Sequence, residues 1–386
     1  MTRGSAANRG EGPRRRPLRP RLQVAVLYGG GFLGPFGGSV VASVLPEIGA
    51  DLSVGPAAAA TSLTSYLLPF AACMLFSGTL GARWGRGRTV RIAYGVYAAA
   101  SLLCVLAPTF VVFSAGRVLQ GCANAFTTPL LMAALAAVTP RERLGRALGI
   151  FGACQAAGQA SAPLVGGLAG EVTWRLAFVV LAVVAVGMGA TGMPAATATG
   201  GEPARLRDAL TARTLRIGGV ALLGWGALGG LNFLVSFRAD DVFTLNPTAR
   251  GLVLTGFGVA GILTARRVGD VIDRLGAYRA TLLGAVTGAA LVCAVGAVPS
   301  VAVLSVAWFC AGVSAQFVLV GVNTAVLGST EPGAAGAVSV VQALRFSGNA
   351  IAPLALTPVY AISPLAAFVI PAVLLVVLAP MLMPRR

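Results

Sequence analysis

Gly78-Thr79-Leu80-Gly81-Ala82-Arg83-Trp84-Gly85 returns 191 residues later as Gly269-Asp270-Val271-Ile272-Asp273-Arg274-Leu275-Gly276. Each copy ends a long apolar stretch with a glycine-bounded, arginine-bearing turn. Farther on, Gln155-Ala156-Ala157-Gly158-Gln159-Ala160-Ser161-Ala162-Pro163-Leu164 returns as Arg345-Phe346-Ser347-Gly348-Asn349-Ala350-Ile351-Ala352-Pro353-Leu354. In between, Ser114-Ala115-Gly116-Arg117 through Gly121 aligns with Ser305-Val306-Ala307-Trp308 through Gly312. Sparse matches that hold one register along a chain mark an internal duplication. The repeated unit consists of membrane-length apolar segments, so the expected fold is two like bundles with a pathway on the axis between them.

Composition excludes a soluble body. Hydrophobic residues make up 56% of the chain and charged ones 11%, too few to cover a water-facing surface. A helix needs ~20 mainly apolar residues to cross a bilayer. By that measure the sequence predicts an all-α, polytopic membrane protein of twelve spans, six in each repeat. Residues 1–21 read as a disordered Arg-rich tail, 22–194 as the first six-helix bundle, 195–214 as a polar linker and 215–386 as the second bundle. The apolar runs lack the alternation of a membrane barrel strand. The 51 glycines let neighbouring helices approach closely in lipid.

The net charge of +17 comes entirely from arginine, since the chain has neither Lys nor His. Arginines fall in the tail, after spans two, four and eight, in the central connection and at the end; the opposite side receives only Arg175, Arg238 and Arg250. This is the positive-inside pattern, and it predicts an inner (cell) membrane protein with both termini cytoplasmic. The distribution argues against a nucleic-acid partner. The six cysteines lie within spans without metal-ligand spacing, so neither a metal nor another cofactor is expected.

Three local patterns carry more information. The first is the turn motif: Gly78, Leu80, Ala82, Arg83, Gly85, Arg86 and Arg88, echoed by Gly269, Asp273, Arg274 and Gly276. The second is Arg117-Val118-Leu119-Gln120-Gly121. The third is Gly149, Gly158, Ala162-Pro163 and Gly166-Gly167 in the fifth span, with Thr173-Trp174-Arg175 and Leu45-Pro46-Glu47-Ile48 in support. Over residues 22 to 383 this chain resembles the major facilitator superfamily, and within it the twelve-helix drug:proton antiporter branch. The resemblance implies alternating access between two six-helix halves, a cytoplasmic latch built on the turn motif, and a seal in the fifth span that favours export. The first turn departs from the family pattern by placing Ala82 where Asp is usual, so Asp273 with Arg274 carries any latch better. Plain helix packing by the fifth-span glycines, with a bend at Pro163, is the bland alternative.

Arg117 lies about eight residues into the fourth span, roughly 12 Å from the outer end at ~1.5 Å per residue. A charge at that depth is expensive and normally faces a polar interior. Gln120 and Asn124 share its helix face, and Gln342, Arg345 and Asn349 repeat the device in the eleventh span. Gln155 and Gln159 in the fifth span, Asn232 in the seventh, and Gln316 and Asn323 in the tenth add further polar positions. These residues are expected either to line one aqueous cavity or its gates, or to form interhelical hydrogen bonds.

No acidic residue falls in the middle of a predicted span. The resemblance implies a carboxylate near Gly37 as the usual proton carrier, and that position has none. Glu47, Asp240 and Asp241, at outer helix ends, are the candidate titrating groups; the alternatives are a charge-compensating substrate or uncoupled diffusion. The expected partners are a small amphipathic substrate, the lipid bilayer and protons, and a monomer is expected. Efflux of an antibiotic, drug or secondary metabolite is the leading expectation. An uptake permease or uniporter for a nutrient or organic anion is its rival, and a transport-inactive sensor is the rival of another class. No catalytic set appears, so no enzyme activity is expected.

Overall fold

The computed structural model describes residues 20–193, 210–327 and 334–385. The predicted tail up to residue 19 and the predicted linker over 195–209 lie outside the described residues. All regular structure among the described residues is helical. In chain order the helices are α1 (Pro20–Ser39), α2 (Leu45–Asp51), α3 (Pro56–Trp84), α4 (Arg86–Val105), α5 (Phe110–Ala125), α6 (Thr128–Val138), α7 (Arg141–Gly170), α8 (Arg175–Thr191) and α9 (Ala212–Ala227). They continue as α10 (Asn232–Asp241), α11 (Pro247–Leu275), α12 (Ala277–Ala297), α13 (Val301–Leu327), α14 (Ala334–Ile362) and α15 (Pro364–Leu382).

Local chemistry sets these boundaries. Asn246 and Ser363 cap α11 and α15 through their side chains, each followed by a proline whose missing N–H costs nothing in a first turn. Thr109 and Thr211 cap α5 and α9 in the same way. The expected fourth span is broken between α5 and α6, where the Thr127 hydroxyl turns back onto Asn124 and Pro129 begins the next helix. The expected seventh span is broken by a 3₁₀ turn over Gly229–Leu231, and the Asn232 amide donates to the freed Gly229 carbonyl at 2.8 Å.

The duplication is visible in the backbone. Helices α3 and α11 are each 29 residues long, begin at a proline and end at a glycine with positive φ, 86° at Gly85 and 81° at Gly276. Their starts, Pro56 and Pro247, keep the sequence offset. Close helix contacts repeat too. A Cβ on Gly121 would lie 2.1 Å from the Tyr66 carbonyl oxygen, and one on Gly312 would lie 2.0 Å from that of Phe257. A Cβ on Gly158 would meet the Phe32 carbonyl at 2.2 Å, and one on Gly348 that of Leu222 at 2.1 Å. The first set of partners is displaced by 191 residues and the second by 190, so one packing plan has been used twice.

The chain runs back and forth between two ends. At the first, named here by Glu47, Arg175 donates to Asp51 and to the carbonyls of Val105 and Ala107. There also Arg250 reaches Glu47 and Asp240, Arg238 reaches the Val298 carbonyl, and the Tyr360 hydroxyl donates to Asp241. The turns at Gly85 and Gly276 lie at the other end. The outward faces are apolar: Leu263 is 70% exposed and Ile362 88%, as lipid-facing residues are. Among the described residues seven stretches are long and apolar enough to cross a membrane, where the sequence predicts twelve spans. Several of the others carry the arginines of the Gly85 end, as α4 does with Arg86, Arg88 and Arg91, and α8 is only 17 residues long.

Candidate functional site

Four clusters contain the charged and polar residues singled out by the sequence. The first surrounds Arg117 on α5, which is wholly buried. Its Nη1 donates to the Gly37 carbonyl at 3.0 Å and to Gln120 Oε1 at 2.8 Å, and its Nε donates to the Ser62 carbonyl at 3.4 Å. The guanidinium lies over the Tyr66 ring, 4.3 Å from the centroid. Gln120 passes the chain on to the Ser101 hydroxyl at 2.8 Å. Asn124, one turn further, accepts from Thr127 and packs against Gly34. The arrangement ties α1, α3, α4 and α5 together by hydrogen bonds to a charged group, which are about twice as strong as neutral ones. It leaves no room for the carboxylate expected near Gly37, because a Cβ there would lie 1.8 Å from the Tyr97 hydroxyl.

The second cluster lies in the other repeat, around Arg345 on α14. Its guanidinium stands 4.8 Å from the Trp225 ring centroid and 4.4 Å from that of Phe346. Arg345, Trp225, Asn323 and Gln342 surround one narrow crevice with Val318 and Val341, and in this conformation it is too tight to admit water. Arg345 Nε, Gln342 Oε1, Asn349 Oδ1, Asn232 Oδ1 and Trp225 Nε1 are buried without hydrogen-bond partners. Trp225 and Phe346 were not anticipated; their signal was an aromatic residue in each of the two spans that flank the predicted polar face. The expected single set of polar stripes therefore divides: Arg117, Gln120 and Asn124 turn into the packed interior of the first repeat, while Asn323, Gln342 and Arg345 face a cleft in the second. Gln155 and Gln159 on α7 are half-buried, and Gln316 lies against Gly261 of α11.

The third cluster closes the Glu47 end across the two repeats. Arg250, 1% exposed at the side chain, is ion-paired with Glu47 of the first repeat and with Asp240 of the second. Nearby, Glu171 accepts from the backbone N–H of Thr248 at 3.2 Å. Beneath these pairs α7 and α11 meet with almost no side chain between them. A Cβ on Gly167 would lie 2.3 Å from the Pro247 carbonyl oxygen, one on Gly251 2.4 Å from that of Pro163, and one on Gly258 2.5 Å from the Ala160 Cβ. Gly158 and Gly166 instead abut α1 at Phe32 and Val40. On the facing side, Thr64 donates to the Ala350 carbonyl at 2.5 Å, and Phe70 meets Phe346 edge-on at 4.9 Å. Of the candidate titrating groups, Glu47 and Asp240 thus share one buried cation, and Asp241 accepts from Tyr360 at 3.2 Å. The sequence marks Arg250 only as one of three arginines on the side nearly empty of them, and its pairing with Glu47 and Asp240 emerges from the structure.

The fourth cluster is the pair of turns at the opposite end. Arg83, Gly85, Asp270, Asp273, Arg274 and Gly276 are exposed there, and among the described residues Asp273 and Arg274 form no ion pair. Arg86 is half-buried, and the surroundings of Gly78 lie outside the described residues. Gly149, the first member of the fifth-span motif, has nothing within 4 Å of where a Cβ would be.

With this geometry in place, known proteins provide a frame. A sequence profile described as Major Facilitator Superfamily matches residues 27–237, more than half of the chain. The chain is 31% identical to the uncharacterized transporter EfpA of Mycobacterium tuberculosis over 166 residues, 42% of this chain and 31% of that protein. It is 32% identical over 169 residues to the drug efflux pump JefA of the same species, and 26% identical over 169 residues to the riboflavin transporter RibZ of Clostridioides difficile; these alignments cover 42% and 43% of this chain and 33% and 37% of those proteins. The matched segment thus spans about a third of the length of these relatives. Among solved structures, a bacterial homologue of the lysosomal transporter Spinster, inward-facing and occupied, superimposes with a TM-score of 0.73 at 16% identity, over 96% of this chain and 97% of that one. The nucleoside transporter NupG superimposes with a TM-score of 0.77 at 14% identity, over 94% and 99%.

Proposed function

We propose that this chain, which belongs to the Major Facilitator Superfamily, exports an amphipathic small molecule by alternating access between repeats 22–194 and 215–386. The observation that carries the reading is the closure of the Glu47 end. Arg250 joins carboxylates of both repeats there, over a seam of bare helix backbone, while the arginine-bearing turns at the other end stand exposed. With the Glu47 end outside, as the arginine distribution implies, this is a conformation closed to the outside. Opening it requires separating Arg250 from Glu47 and parting α7 from α11. A two-state body with a binding surface between the states is what a carrier needs.

A proton on Glu47 would remove the cross-repeat partner of Arg250 and loosen the join, whereas Asp240 holds Arg250 from within the second repeat. Protonation of Glu47 thus gives a route to proton coupling without a carboxylate in the first helix. The similarity to JefA and the fifth-span glycines support export. The similarity to RibZ supports an uptake carrier as the second reading. The chain needs no catalytic group or cofactor for either, and a monomer is sufficient.

The test is efflux of neutral, anionic and cationic compounds from loaded cells or inverted vesicles, before and after collapse of the proton gradient. Export lost on collapse is the expected result. Gradient-driven accumulation inside cells would replace export with uptake, and binding without movement of any compound would favour the sensor.

A further inference from the structure

Resting on the transporter reading above, we propose that Arg345, and not Arg117, is the receptor for the charged group of the transported compound. That compound is an organic anion with an aromatic or other flat apolar body and a hydrogen-bond donor near its charge. The two interior arginines differ in what surrounds them. Arg117 already has three protein acceptors and an aromatic face, and it is sealed; its Nη2 alone lacks a partner. It holds helices together and offers nothing to a ligand.

Among the described residues Arg345 has no hydrogen-bond or ion-pair partner. Its guanidinium is held by two rings, Trp225 and Phe346, which steady the cation but leave its N–H edge without an acceptor. The described acidic residues all lie at helix ends, so no described carboxylate balances the charge from within the bundle. Arg345 is half-buried, and a cation partly withdrawn from water without an anion is destabilised and is relieved by whatever anion can reach it. The planar fork of a guanidinium matches carboxylate, sulfonate or phosphate through two parallel bonds.

The rest of the cleft specifies the remainder of the ligand. Asn349 lies one helical turn from Arg345 on the same face. Of the three buried acceptors without donors, Gln342 Oε1 belongs to a residue of this crevice, whereas Asn349 Oδ1 lies against Gly230 and Asn232 is turned by its amide onto the Gly229 carbonyl. A hydroxyl or amine beside the anionic group would satisfy one of them. Trp225, Val318 and Val341 are the apolar side chains around the crevice, closed in this conformation, and would part to receive the body of the molecule. Inorganic anions share the charge but not the wall.

The proposal is tested on the full chain in neutral-lipid nanodiscs by equilibrium dialysis, corrected with empty discs. The probes are 2-hydroxybenzoate, its carboxamide, 2-hydroxybenzylammonium and acetate. The hydroxybenzoate should bind at least about tenfold more tightly than each of the other three, the ratio expected for gaining a charge-assisted bond pair or an apolar contact. Arg345→Gln should remove that preference while keeping carboxamide binding within about twofold, and Arg345→Lys should retain part of it. Equal binding of all probes, tighter binding of the ammonium, acetate binding as well as hydroxybenzoate, or a preference that survives Arg345→Gln would each overturn the proposal. If Arg345→Gln does not fold, the wild-type series decides alone. Flux of the carboxamide without any preference for the anion would sink this inference and leave the exporter standing. Arg345-dependent anion binding with no flux of any probe would do the reverse.

Discussion

Arg250 and Arg117 are both hidden from water, but they join different things, and substitutions should separate their roles. Arg250 links the two repeats through its pair with Glu47. Arg250→Gln should therefore leave each repeat folded, lower the thermal midpoint only slightly, and make a cysteine placed at Thr248 react faster with a membrane-impermeant maleimide. An unchanged labelling rate would show that the ion pairs do not hold the end shut. Arg117 links helices within one repeat. Arg117→Ala strands the Gly37 and Ser62 carbonyls and empties a volume beside Tyr66, at a cost of about 2–4 kcal/mol. Transport should be lost together with thermal stability; a variant as stable as the wild type would refute the packing role. The burial cost of a mid-helix arginine made Arg117 legible in the sequence. What it faced was not legible, because that depends on Gly37 and Ser62, which approach from distant parts of the chain.

At the scale of the helix, glycine positions that look alike in the sequence differ in what they touch. Gly121→Ala would drive a Cβ into the Tyr66 carbonyl, a backbone atom that cannot swing away, and should destabilise by about 1–3 kcal/mol. Gly149→Ala meets open space and removes the cost of glycine in a helix, so it should be neutral or stabilise by about 0.5–1 kcal/mol. Thermal unfolding of the two variants in one detergent reads both. If Gly149→Ala is the more damaging, the contacts have been misassigned. Helix identity and order followed from apolar length and were legible. The breaks at Thr127 and at Gly229-Gly230 were not, since either stretch could run straight until its neighbours and side-chain caps are known. The twofold plan was legible because glycine recurs wherever the backbone of one helix touches another.

The two repeats together form a body closed at one end, and closure should be required in every cycle. Cysteines introduced at Glu171 and Thr248, in a background without the native six, face each other across the repeats. An oxidised pair should stop transport, and reduction should restore it. Movement of substrate at full rate through the cross-linked protein would exclude rocking of one repeat against the other. The repeats also differ at one matching position. Arg117 lies over Tyr66 in the first, whereas Trp308 stacks on Phe257 in the second, with ring centroids 4.8 Å apart. The offset predicted that these positions correspond; it could not show that a cation on a ring in one repeat is replaced by a ring on a ring in the other.

The seam between α7 and α11 has one more consequence. Surfaces that interlock through long side chains must freeze rotamers each time they meet, at about 0.5–1.5 kcal/mol per chain. Gly167, Gly251 and Gly258 have no rotamers to freeze. Closing that end therefore carries little loss of conformational entropy, and opening it regains little, so its equilibrium is left to the ionic pairs above it. The outward transition should accordingly respond more to ionic strength than to temperature.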